Sequence, residues 1–534
     1  MTRPLTFTTT AQVREHLLAR REIALLDVRE EDPFAQGHPL FAANLPLGRI
    51  ELDARSRIPR RDTAIVIYDN GEGLAKTAAR RLQSLGYTDV SLLEGGLQGW
   101  RDAGGEIFID VNVPSKSFGE LVEAQRHTPS LPAEEVQALL DAKADVVVLD
   151  ARRFDEYQTM NIPGSTSVPG AELVLRARAL APDPATRIIV NCAGRTRSII
   201  GTQSLVNAGI PNPVAALRNG TIGWTLAGQS LEHGADRRPP PDIPPGVREA
   251  AARAAREVAD RAGVQRASLA DVTRWQGESG RTTYLFDVRT PEEFAAGHLP
   301  GSRSAPGGQL VQETDVSAPV RGARIVLVDD DGARANMTAS WLAQMNWDVW
   351  VLDGVPDSAF AETGSAPLYL PVPSRPVSWI GARQLADKLA SEPPGTTAII
   401  NLSTSANHVK RHIAGAWFAL RSDIGNALRQ IPRAQRYVLT CGTSMLAQYA
   451  VEEVEQASGG ARVQVLEGGN QAWFDAGLPT DTGERRLASP RIDRYRRPYE
   501  GTDNPREAMQ AYLDWEFGLV EQLGRDGTHG FRVI

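Results

Sequence analysis

A chain of 534 residues with 42% apolar and 23% charged side chains has material for several packed cores and is not of disordered composition. Its net charge of −7 offers no basic field to a nucleic-acid backbone, and no run approaches the roughly 20 apolar residues of a membrane helix. With two cysteines far apart and no apolar stretch of signal length near the start, a cytoplasmic protein with free thiols is expected, without nucleic-acid or membrane partners.

Along the chain one pattern recurs four times. It begins with an apolar strand ending on an acid or amide: residues 25–29 (LLDVR), 148–152 (VLDAR), 285–289 (LFDVR) and 400–403 (INLS). A turn follows, loose in the first repeat (Gly37-His38-Pro39) and fuller at 161–165 (NIPGS), 297–302 (GHLPGS) and 412–416 (HIAGA). A second apolar strand then starts at Ile65, Ile188, Ile325 and Tyr437 and runs through a loop into a helical stretch. Three repeats close on a strand, a glycine turn and a tryptophan, at Trp100, Trp224 and Trp473; the third stops at Gly354 without one.

Alternating strands and helices predict four α/β modules, over residues 1–112, 126–236, 264–366 and 374–480. A proline-rich linker and connecting helix occupy 237–263, the helix spanning 247–263, and a second proline-rich stretch lies at 367–376. The tail, 481–534, does not repeat the module. Its amphipathic stretch 505–523 carries Met509, Tyr512, Leu513, Trp515, Phe517, Leu519 and Val520 and is expected to dock on its own protein or a second subunit, with partner recruitment as the alternative.

The loop after each module's second apolar strand carries the chemistry. Aligned on the residue just past that strand, the modules present Asp69, Cys192, Asp329 and Cys441. Residues 187–198 (RIIVNCAGRTRS) place Cys192 at the mouth of a β-branched strand, ahead of a helix; helix N–H groups and Arg195 and Arg197 would favour its thiolate. The competing reading is an inert, buried cysteine. An aspartate cannot carry sulfur and repels an anionic donor, so modules one and three are expected to be inert.

The Cys441 loop (CGTSMLA) lacks arginine, and its module has Asn401 and Ser403 where the others have aspartate and arginine. A second catalytic cysteine, acting on a less anionic donor, and a structural cysteine are both open readings. Asp150 and Arg152 recur in the inert modules as Asp27 with Arg29 and Asp287 with Arg289, so they read as a strand-end ion pair bracing the loop. His298 and His412 are expected to hydrogen-bond their turns, since no second ligand stands at a metal-binding spacing. The tryptophans read as core anchors, with Trp224 as an alternative wall for the Cys192 pocket.

Together, and four times in the same order, the D-x-R strand end, the G-H-[IL]-P-G turn, the cysteine loop and the E-G-G-x-x-x-W ending resemble the rhodanese superfamily, in a four-module, tandem-pair bacterial type. The resemblance implies an α/β fold of four small, mostly parallel sheets flanked by helices, plus a helical C-terminal tail, with each active loop at the carboxyl end of a central strand. It also implies inert and active modules paired, here as two pairs in series.

In activity it implies ping-pong sulfur transfer without cofactor or metal. The Cys192 thiolate takes sulfur from a small anionic donor such as thiosulfate and passes it from a persulfide to a thiophilic acceptor: cyanide, glutathione or a protein thiol. Arg197 joins Cys192 as catalytic, and Ala193, Gly194, Arg195, Thr196 and Ser198 hold the substrate. Four residues separate Cys192 from Arg197, against five in the related cell-cycle phosphatases, which favours sulfur over phosphate. A sulfur-relay or binding module, a phosphatase or arsenate reductase, and a purely structural array are the alternatives. Oligomeric state and the physiological donor are not legible.

Overall fold

The fourth strand of each module is a β-branched run because helices cover both faces of its sheet. In the computed structural model, which describes residues 4–534 and so leaves residues 1–3 of the first module outside, these strands are Ile65–Tyr68, Arg187–Asn191, Arg324–Val328 and Arg436–Thr440. Each is central in a five-stranded parallel sheet whose order, in the module's own strand numbering, is first, fifth, fourth, second, third. Register does the positioning: Asp150 at the end of Val146–Asp150 lies opposite Asn191, so the acid of the second strand stands beside the residue that precedes Cys192.

Arg152 folds back onto that acid, with Nε and Nη2 donating to Asp150 at 2.9 and 2.7 Å and Nη2 also to the Met160 carbonyl at 2.6 Å. Arg29 and Arg289 make the same clasp on Asp27 and Asp287 and on the carbonyls of Gly37 and Gly297. The pair therefore ties strand to turn whether or not a cysteine follows. The turn histidines stack on the ring four residues earlier, His298 on Phe294 at 3.8 Å and His412 on His408 at 3.7 Å, and their Nδ1 atoms hydrogen-bond the carbonyls of those residues. Trp100, Trp224 and Trp473 are buried, each donating its indole N–H to a carbonyl six residues on. Trp224 packs with Ile162, Ile189 and Leu217, apart from the side chains that touch the Cys192 loop, so it is a core anchor and not a pocket wall.

The modules do not pair in series. Module two packs on module three through the turns after their third strands, where Gly170 and Gly308 stand back to back: a Cβ on Gly308 would meet the Gly170 nitrogen at 3.2 Å. Arg334 of module three crosses to Glu172 of module two at 2.8 Å. Module four uses the equivalent turn on module one, where Arg421 bonds both Glu51 oxygens at 2.7 and 2.8 Å and the Gly48 carbonyl at 3.1 Å. The two aspartate modules, one and three, share one core containing Ile50, Ile58, Tyr284 and Leu310. The expected serial pairing gives way to a nested one because every module offers the same turn, and the long irregular stretch after Asp357–Ala359 lets module four return to module one.

Segments outside the repeat fill the centre. A helix at Val113–Arg126, between the predicted modules, buries Phe118 and Val122 in the core of modules one and three. The connecting helix is Pro245–Ala262. The tail's amphipathic stretch forms two helices, Arg506–Phe517 and Leu519–Asp526, with Met509, Tyr512, Leu513, Leu519 and Leu523 buried against the protein and Phe517 left exposed.

Arg421 joins a half-buried cluster in which Glu51 and Glu453 are shared between it and Arg81. Arg421→Met leaves Glu51 and Glu453 with Arg81 alone and is expected to cost about 1–3 kcal/mol, seen as a lower midpoint of thermal unfolding, and adding Glu51→Gln should recover part of that loss.

Candidate active site

Cys192 follows the last residue of the central strand, and the loop it opens closes into the helix Thr196–Asn207. The loop is held from below by the start of the helix Gly220–Leu226: Thr221 and Ile222 donate their N–H groups to the Cys192 and Ala193 carbonyls at 2.9 and 3.0 Å. This close approach explains the glycine that precedes them. Gly220 has φ +56°, and a Cβ there would lie 2.3 Å from the Cys192 carbonyl oxygen and 2.7 Å from that of Gly194. Gly96 and Gly469 meet the Asp69 and Cys441 carbonyls in the same way.

What the loop amides bind differs between modules. In module one the Asp69 carboxylate accepts from the N–H groups of Gly71 at 3.0 Å and Ala75 at 2.9 Å. Asp329 likewise accepts from Gly332 at 3.1 Å and Ala335 at 2.7 Å. These aspartates place a carboxyl group of their own in the cradle that a substrate anion would need, and at Asp329 burial and the neighbouring Asp331 push the pKa of that group well up. In module two the residue equivalent to Ala75 and Ala335 is Ser198; its N–H points at the Cys192 sulfur, and its hydroxyl accepts from the thiol at 3.4 Å while donating to the Arg195 carbonyl at 2.8 Å.

The two arginines are committed to carboxylates. Arg197 pairs with both oxygens of Glu156 at 2.7 and 3.0 Å, and although burial opposes ionisation of Glu156, that guanidinium draws its carboxyl down to about 2. The same pair recurs in the aspartate-bearing module three as Arg334 with Glu293. Arg195 turns to the buried linker helix, meeting Glu120 at 2.7 and 2.9 Å, and also bonds Asn219 at 3.1 Å. Thr196 packs its methyl on Gly119 of that helix. Burial therefore dominates at Cys192 and raises its thiol above the ordinary range, Arg197 and Ser198 acting against it and the Glu516 charge adding to it. The sequence reading expected the arginines to lower it; their salt bridges blunt that effect.

The site extends beyond the loop into parts of the chain that carry no motif. Tyr499 and the tail residues Met509, Tyr512 and Leu513 pack on Ala193 and Ile222, leaving Cys192 1% exposed. Gly194 lies beneath Tyr512 and Glu516. Lys116, ion-paired with Asp110 at 2.8 Å, sits within 5.5 Å of the ring centres of Tyr499, Tyr512 and Trp515 and braces this roof by cation–π attraction. Glu120, Lys116, Tyr499, Tyr512 and Glu516 escape a motif search; the four-residue spacing of Lys116 and Glu120, like that of Tyr512 and Glu516, only places each pair on one helix face.

Cys441 has the same backbone setting, its carbonyl accepting from Asn470 at 2.7 Å, but a different outlook. Its loop holds no charged side chain, and a 3-10 turn, Ala447–Ala450, precedes the helix Val451–Ser458. It lines a cavity of about 810 Å³ between modules one, three and four, across from Arg49 and Arg57, with Arg497 of the tail at its edge. Among the described residues no cluster of three or more ligating side chains could hold a metal ion, and no helix is long and apolar enough to cross a membrane.

The rhodanese-like domain model matches residues 9–103, 132–227, 268–355 and 382–476, and the chain belongs to that family. A crystal structure of a thiosulfate sulfurtransferase from Pseudomonas aeruginosa is 69% identical to it with a TM-score of 0.97, covering 99% of this chain and all of that one. Among curated relatives, the uncharacterized protein YqhL of Bacillus subtilis is 36% identical over 87 residues, 16% of this chain and 65% of its own length. The HTH-type transcriptional regulator Rv0324 of Mycobacterium tuberculosis is 31% identical over 91 residues, 17% of this chain and 39% of its own. The chain thus spans less than two thirds of the length of either curated relative.

Gly220→Ala should displace the Cys192 carbonyl and with it the cradle. Sulfur loading of Cys192 is expected to fall at least tenfold in this variant, while far-ultraviolet circular dichroism stays that of the parent.

Proposed function

We propose that this protein is a sulfurtransferase that moves sulfane sulfur through a persulfide on Cys192, with thiosulfate as a competent donor. The observation that carries the reading is the contrast in the cradles: modules one and three fill theirs with Asp69 and Asp329, whereas module two presents a thiol at the same place, met by the Ser198 N–H and hydroxyl. The similarity to the Pseudomonas aeruginosa thiosulfate sulfurtransferase over nearly the whole chain supports the same chemistry.

In the first half-reaction the Cys192 thiolate attacks the outer sulfur of thiosulfate. The bond between the two sulfurs of the donor breaks, and sulfite leaves with the electron pair. The persulfide is held by the amides of Gly194 to Ser198, as an oxyanion is held elsewhere. In the second, cyanide or a thiolate attacks the outer sulfur and Cys192 departs as thiolate. Arg197, fixed by Glu156, lends positive charge through space to both sulfur anions, and Arg195 holds the loop against Glu120.

A phosphatase needs a free guanidinium to clamp phosphate, and both loop arginines are already paired. Cys441, with a neutral loop and an open cavity, is proposed as a second sulfur site for a larger, less anionic donor. Free thiols at both positions suit a reducing compartment such as the cytoplasm.

Mixing the protein with excess thiosulfate should add one sulfur to Cys192, read by intact mass and peptide mapping, with Cys441 unmodified. Cys192→Ser should lose that mass gain and all turnover to thiocyanate while keeping its fold; thiocyanate formation by this variant at the parental rate would overturn the assignment.

A further inference from the structure

One group in the Cys192 pocket has no part in the scheme above. Glu516 lies on the tail helix Arg506–Phe517 and is 0% exposed. Its Oε1 accepts from the Tyr512 hydroxyl at 2.9 Å, while Oε2 is buried without a hydrogen-bond partner. That Oε2 is 3.4 Å from where a Cβ on Gly194 would stand, so the vacant acceptor faces the cradle loop two residues past the nucleophile.

The nearby cations are committed elsewhere, Arg195 to Glu120 and Lys116 to Asp110. A buried carboxylate without a partner is costly, and such groups are retained at sites where they exchange protons. Burial first, and the charge of Glu120 second, push the Glu516 carboxyl up to about 8, close to the working range of a thiol acceptor.

The two kinds of acceptor make different demands. Cyanide attacks sulfur as an anion, whereas a thiol must first lose its proton. We propose that Glu516 is the general base that deprotonates thiol acceptors at the Cys192 persulfide, so that the C-terminal tail supplies a catalytic residue to module two. With the persulfide in its protonated form, the Glu516 carboxylate takes the proton of the acceptor thiol. The acceptor sulfur bonds to the outer sulfur as the bond from that sulfur to Cys192 breaks. The electron pair stays on Cys192, which is restored as thiolate, and the acceptor leaves as a persulfide. Sulfur, protons and charge balance with no other reactant.

This inference rests on the proposed sulfurtransferase activity, and one experiment separates the two. The full-length protein, Glu516→Gln and Glu516→Asp are loaded with thiosulfate, and the loss of sulfur from Cys192 is followed by intact mass after adding either cyanide or glutathione. Glu516→Gln should lower the ratio of glutathione to cyanide discharge rates by about 100-fold, the usual scale of general-base assistance, and Glu516→Asp should restore part of that ratio. An unchanged ratio, or an equal fall with both acceptors, would overturn the role of Glu516 while leaving the sulfurtransferase reading in place. Failure of the parent protein to load would overturn both.

Discussion

The peptide N–H groups at the head of the helix after each central strand have to be satisfied, and how each module meets that demand decides what it can do. Asp69 and Asp329 answer it by hydrogen bonds to a carboxyl group that the chain itself delivers. Such a cradle is stable and chemically closed. Cys192 leaves the demand to a sulfur atom and whatever anion that sulfur attacks. The same geometry, from one strand end and one glycine turn, thus holds a carboxyl group in the two modules that share a core and a thiol in module two.

Electrostatics in the active module are set by pairs more than by single charges. Glu120 and Glu156 each hold an arginine in a two-point grip, so the loop is rigid and close to neutral. The cost is a thiol whose ionisation burial opposes. The benefit is a fixed set of amides that becomes worth more as water is excluded by Tyr499 and Tyr512, because hydrogen bonds to an anion strengthen in a medium of low polarity. Activation is therefore tied to the arrival of the donor.

The repeat was legible because each module's strands and turns obey local rules: the Asp150–Arg152 clasp, the positive φ at Gly220 and the tryptophan anchors all leave marks at fixed spacing. The residue that opens each loop, Asp69, Cys192, Asp329 or Cys441, was legible in the same way. Module pairing could not, since Gly170 against Gly308 and Arg421 against Glu51 are contacts between distant surfaces with no period. The same holds for the roof. Glu120, Lys116 and Glu516 come from segments outside the repeat, and nothing in their local sequence says which of four similar loops they cover. Arg195 was legible as a cation but not as half of a buried pair.

That roof also gives the protein a history during synthesis. Cys192 emerges roughly three hundred residues ahead of Glu516. At ~5–20 residues per second, the nascent chain carries an uncovered nucleophilic thiol for some tens of seconds before the tail arrives. Arrival of this segment thus ends a period in which the growing chain is open to oxidants, and a chain cut short before residue 499 would carry that exposure for its whole life.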